Sequence, residues 1–434
     1  MNRSVTSRAL VALCILAWLP WFSGPVRAQL TANAHENPPR VALDQVLPET
    51  SMQSGEHRVE DTLGLKGTQF QFSLDSDQGR YEALSIPMVL LRIHEIRTLA
   101  QSVDAFQRDN QRLAAQLRGV VYAGRNSSVP ILGTGLGGGS YAYNDYLNNN
   151  VGQAVEDLER KSKRQGQFAG GAGAGGENMY ESWVPTDPIL ASHKRAVAMQ
   201  LDLDIYSSNT RVQAFLDTLA RARGGGNRNA GMATVALPNK PEIRVDQGRV
   251  EFAVRSSVAR KTVRELYIQN EAALKAMGIE PDLYHAFLSH RAFSPRHKTE
   301  ITAYLVYMNG VSNRGALLRS ALGANDEVSA LGYTRMARML AFYHETTERL
   351  TGLVSGGTVL MATTASNNMV MALPFDLVWW SAESDRVFTS LAKFADGKAF
   401  KLRELLMVGI GSDAARIQLE RRRFVVRERF LFSR

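Results

Sequence analysis

The sequence predicts an α+β protein that is predominantly helical. Three observations carry that expectation. Apolar residues recur at heptad spacing through 86–117. Five further stretches (259–277, 281–290, 295–309, 313–323 and 325–350) read as helices. Two alternating runs, 358–363 and 369–373, flank Ala365-Ser366-Asn367-Asn368. The first patterns put apolar side chains on one face of a helix, the last on one face of a strand. Hydrophobic residues make up 44% of the chain, ordinary for a folded protein.

The chain opens on Arg3 and Arg8, followed by an apolar run of 14 residues, 9–22, which Gly24 and Pro25 break before Val26 and Ala28. This charged, apolar, small-residue order predicts a secretory signal peptide over 1–28, cut near Ala28, and an exported protein, periplasmic or secreted. The run is shorter than the roughly 20 residues a membrane span needs. No later segment is long and apolar enough, so no transmembrane span is expected in the mature chain. Cys14, the only cysteine, leaves with the signal, which excludes disulfides and thiolate chemistry afterwards. The chain has 51 basic and 42 acidic residues; removal of Arg3, Arg8 and Arg27 lowers the positive excess from nine to six. That balance favours acidic surfaces, and in this compartment an anionic envelope component rather than nucleic acid.

The organisation expected downstream runs as follows. Residues 29–66 are polar and aperiodic and read as a flexible leader. A strand near 68–74 and a long amphipathic helix fill 67–118, with Pro87 in the helix's first turn. Ile96, Leu99, Val103, Phe106, Asn110, Leu113 and Leu117 step by three and four, the a/d pattern of a coiled-coil seam with Asn110 at an a position. Self-association through the 86–118 helix follows as an expectation. Residues 119–182 read as a glycine-rich hinge, 183–231 as a helical pair started by Asp187-Pro188, and 232–434 as a C-terminal α+β domain. In that domain 250–254 reads as a strand, the Asn pair predicts a β-hairpin over 358–373, and a strand-helix-strand unit closes the chain.

Few patterns carry chemistry. His344 and Glu348 stand four apart in His-Glu-Thr-Thr-Glu, so on a helix they would share a face and could hold zinc, with Glu345 as general base. The zinc-protease pattern has histidine where this chain has Glu348. The first expectation is therefore a surface pair beside Arg349 and no cofactor, with a zinc-dependent hydrolase as the alternative. His285, His290 and His297 could supply a further ligand, but their spacing does not put three rings on one helical face. Asp202-x-Asp204 is oxygen-rich, yet Tyr206, Ser207 and Gln213 stand where a calcium loop needs an oxygen ligand, a glycine and a glutamate. A capped helix-to-helix turn is expected there. Gly133-x-Gly135-x-x-Gly138 lacks the helix opening that a dinucleotide site requires. Arg421, Arg422, Arg423, Arg427 and Arg429 give the end of the chain a charged face, suited to an anionic surface or to protecting an edge strand. The reading is an exported, non-enzymatic interaction or assembly protein, with a membrane-active protein as a further alternative.

Overall fold

The structure is a computed structural model, described over residues 35–125, 127–129, 131, 180, 182–224, 245–356 and 359–430. It is mixed α+β and mainly helical. The signal segment and most of the glycine-rich stretches, Gly133, Gly135 and Gly138 among them, lie outside the described residues.

A 3-10 turn (Leu43–Gln45) and α1 (Glu49–Met52) precede β1 (His57–Val59), β2 (Gly64–Lys66), β3 (Gln69–Ser76) and β4 (Gly79–Leu84). β3 pairs antiparallel with the other three strands and turns Phe70, Phe72 and Leu74 into the core. The described part of 29–66 is thus built into the fold and is not a flexible leader. Leu43, Leu47 and Val59 are buried, and the Glu36 N–H donates to the Trp380 carbonyl at 2.8 Å. Elements of three or four residues are too short to show a period, so the sequence pattern passes over them.

The predicted long helix is two helices, α2 (Ile86–Asp109) and α3 (Gln111–Val121). Asn110 separates them with φ −153° and ψ 83°, and its side chain accepts the Leu113 N–H at 3.0 Å. It is therefore an N-cap and not a buried register-fixing residue of a seam. Ile96, Leu99, Val103, Phe106, Leu113 and Leu117 are each at most 4% exposed, packed inside their own chain and not presented to a second copy. α2 joins two cores: its residues up to Ile96 pack with the sheets, and those from Leu99 onward pack with a helical cluster. That cluster holds α4 (Pro188–Leu201) and α5 (Thr210–Gly224). Asp187 caps α4 by accepting from Ile189 and Leu190 N–H, at 2.8 and 2.9 Å.

Next come α6 (Val245–Arg260), α7 (Val263–Ala276), α8 (Pro281–Leu288), α9 (Pro295–Tyr307), α10 (Gly315–Ala321) and α11 (Glu327–Thr346). The strand expected at 250–254 lies inside α6. Val250, Val254 and Val258 stand four apart, which places them on one helical face, and Val254 and Val258 are buried.

The second sheet has the order β11-β9-β7-β6-β5. β5 (Leu350–Gly356), β6 (Val359–Thr364) and β7 (Met369–Leu373) run antiparallel in turn, with the expected hairpin between β6 and β7. β7, β9 (Arg403–Met407) and β11 (Phe424–Arg427) are parallel, linked through α12 (Ala382–Gly397) and α13 (Asp413–Arg421). A small parallel pair, β8 (Leu377–Val378) with β10 (Ile410–Gly411), extends past the carboxyl ends of β7 and β9. Neighbouring side chains of β9 show that both faces are covered. Glu404 accepts a bond from the Tyr343 hydroxyl of α11, whereas Arg403 reaches Asp396 of α12 on the other side. No helix among the described residues is long and apolar enough to cross a membrane.

Candidate functional site

The connector between α4 and α5, Asp202 to Asn209, meets charged groups on two sides. Asp202 ends α4 in the left-handed region at φ 59°, and its N–H bonds back to the Ala198 and Met199 carbonyls. Its own carbonyl accepts from, or is approached by, His94 Nε2 of α2 at 2.9 Å. Ser207, Ser208 and Asn209 face α2 and α11. Ser207 Oγ donates to Glu95, and Asn209 Nδ2 donates to the same carboxylate at 3.0 Å. Ser208 Oγ donates to Glu327 of α11 at 2.6 Å and accepts from Arg92 Nη2 at 2.7 Å. Burial raises the Glu327 carboxyl against the opposing pull of Arg92. The expected capped turn is thus also the joint between the helical cluster and the rest of the fold.

The other side of the connector borders a small cleft. Arg195 of α4, Arg255 of α6 and Arg296 of α9 converge on it with Asp202, between apolar walls that include Ala198, Leu203 and Val258. Arg255 pairs with Asp202, and Arg296 Nε donates to Glu300 at 2.8 Å. Burial pushes the Asp204 carboxyl up to about 6, although Arg296 pulls it the other way. Arg195 has no ion pair or hydrogen bond among the described residues, and its Nε is buried without an acceptor. Arg335 of α11, within Coulombic reach of Glu300, has a buried Nε in the same condition. Guanidinium groups stay charged at any physiological pH, so this region keeps cationic donors that its own carboxylates do not use.

The residues offered as zinc ligands in the alternative reading have other partners. α11 ends at Thr346, so His344 and Glu348 do not lie on one helical face. His344 Nδ1 accepts the Leu350 N–H at 3.1 Å, and its Nε2 faces Arg349 Nη1 at 2.8 Å. Burial and then Arg349 hold the ring below its usual basicity. Glu348 accepts from Ser366 N–H and Asn368 Nδ2, both at 2.8 Å, and so braces the β6–β7 turn. Burial would raise its carboxyl, but those bonds together keep it low. Glu345 is exposed. Among the described residues, no three His, Cys, Asp or Glu side chains form a metal-ligand set.

The basic end divides into two groups. Arg422 lies over the Trp380 ring at 4.5 Å and pairs with Asp385 at 2.5 Å, and Arg427 pairs with Glu404. Arg429 donates to the Gln45 carbonyl. Arg421 and Arg423 are exposed with neither an ion pair nor a side-chain hydrogen bond among the described residues, and Arg429, also exposed, has only its bond to the Gln45 carbonyl. The single charged strand face expected from the sequence is therefore a two-residue corner at the end of α13.

The cleft arginines have no sequence signature. They come from three helices, at positions 195, 255 and 296, and each one alone reads as an ordinary surface residue. Compared with known proteins, the chain matches no family model, no curated relative and no solved structure.

Proposed function

We propose that the chain is an exported, non-enzymatic interaction or assembly protein whose partner in the cell envelope carries anionic groups. Export rests on the charged, apolar, small-residue order of 1–28. The observation that carries the rest is the convergence of Arg195, Arg255 and Arg296 on one cleft, with the buried Arg195 Nε left without an acceptor among the described residues. Exposed Arg421 and Arg423 add a second cationic point. Cationic groups held by the fold attract anionic partners at long range and bind them in a salt-dependent way.

Cosedimentation of residues 29–434 with lipid vesicles tests the reading. Binding to phosphatidylglycerol vesicles, weak binding to phosphatidylcholine vesicles and release by salt are expected. Equal binding to both, or none to either, contradicts it.

A further inference from the structure

We propose that the cleft between α4, α6 and α9 is a phosphate-binding site, with Arg195 as its primary donor and Arg255 and Arg296 beside it. The inference rests on the anionic-partner reading and names the group recognised. Two observations point to an occupant. Arg195 lines the cleft with a buried Nε that has no acceptor among the described residues, and Arg335, within Coulombic reach of Glu300, has another. A buried donor without a partner is a cost that native folds seldom leave in place. The neighbouring guanidiniums are held rigidly, Arg255 by Asp202 and Arg296 by Glu300, so their remaining N–H groups are already positioned.

The chemistry of the donors selects the anion. One guanidinium fork satisfies a planar carboxylate through two parallel bonds. Here guanidiniums approach one cleft from three helices, hence from separate directions. A phosphate offers oxygens on several sides and can accept from more than one of them. The apolar walls, Ala198, Leu203 and Val258 among them, exclude water on the flanks and strengthen each charged bond. The phosphate can be free or can belong to an envelope lipid headgroup.

The test is calorimetric titration of residues 29–434 with inorganic phosphate at fixed ionic strength, together with vesicle cosedimentation, on the wild type, Arg195→Met, Arg195→Lys and the double variant Arg421→Gln/Arg423→Gln. Among the described residues the Arg195 side chain has no ion pair or hydrogen bond, so Arg195→Met is expected to fold, and its unfolding curve checks that. The proposal predicts saturable phosphate binding, weakened about tenfold by Arg195→Met, less by Arg195→Lys, and untouched by the double variant. A parallel loss of phosphatidylglycerol binding in Arg195→Met assigns the phosphate to a lipid headgroup, and unchanged vesicle binding assigns it to a free ion. Phosphate binding that is absent, or indifferent to Arg195, overturns the site. If vesicles still bind and only the double variant loses them, the anionic-partner reading stands and the cleft assignment falls.

Discussion

Arg92 and Glu95, one turn apart on α2, form an ion pair at 2.8 Å with side chains 2% and 1% exposed. The pair sits where α2 passes from one core to the other, and the α4–α5 connector adds hydrogen bonds to both members. Two buried charges hold together there because each pairs with the other and Ser207, Ser208, Asn209 and Glu327 supply further partners, which leaves the Arg92 Nε alone without one among the described residues of this group. Removing one partner strands the other. Glu95→Ala should therefore cost about 3–5 kcal/mol in urea unfolding. Arg92→Met combined with Glu95→Ala should recover part of that loss. A double variant as unstable as the sum of the two single losses would show that the pair is not coupled.

Lys298 on α9 is 6% exposed, and its ammonium has no ion pair or hydrogen bond among the described residues. Burial lowers its ammonium to about 7 from an ordinary 10.5. A folded-state value below the unfolded one gives stability that is present above the unfolded value and is lost as pH falls through the folded one. Stability should thus decline from about pH 10.5 down to about pH 7 on account of this residue. Lys298→Met should stabilise the protein by a few kcal/mol at pH 6, on a scale of ~1.4 kcal/mol per pH unit of the interval, and by little at pH 10. A stability difference between the two proteins that is constant with pH would contradict this.

Asp376 follows the opposite sign. It is fully buried, its Oδ2 accepts the Phe70 and Ile86 N–H groups at 3.0 Å each, and its Oδ1 has no partner among the described residues. Burial pushes the carboxyl up to about 7 from 3.8, outweighing both N–H donors. Stability is then fully present below the unfolded value and is lost as pH rises through the folded one, between about 3.8 and 7. Asp376→Asn keeps a carbonyl oxygen for the two N–H groups and removes the titration. Its stability relative to wild type should climb between pH 4 and pH 8, as read from unfolding midpoints. A flat difference across that range would place the carboxyl outside this account.

His344 and Glu348 brace the start of β5 and the β6–β7 turn. His344→Ala leaves the buried Leu350 N–H without an acceptor and should cost about 1–3 kcal/mol. It should not change metal content, and elemental analysis of protein purified without chelator or affinity tag checks this. One zinc per chain, lost in His344→Ala, would restore the hydrolase alternative.

The capping residue Asn110 provides a smaller test. Asn110→Ala removes the bond to Leu113 N–H and should cost about 1 kcal/mol. Solution mass should not change, because the seam residues are in the chain's own cores. A change in mass would return Asn110 to the oligomer seam.

What the sequence disclosed depended on the range of each signal. The β6–β7 hairpin was legible because its turn is local: Asn367 takes φ 62°, a conformation that asparagine tolerates. The capped turn after Asp202 was legible for the same reason. The heptad pattern disclosed a buried face but not what covers it, and the answer is α3, α5 and the sheets. Valines at 250, 254 and 258 satisfied both a strand and a helix pattern, and the burial of one helical face decided the matter. The cleft was illegible, since Arg195, Arg255 and Arg296 meet only after α4, α6 and α9 have packed.

The most direct test of the anionic-partner reading is cosedimentation of residues 29–434 with phosphatidylglycerol and phosphatidylcholine vesicles at low and high salt. The account predicts binding to the anionic vesicles alone, release at high salt, and weakening by Arg421→Gln/Arg423→Gln of roughly 1 kcal/mol for each charge removed. Binding that ignores lipid charge and salt, or no binding to either vesicle, would contradict it.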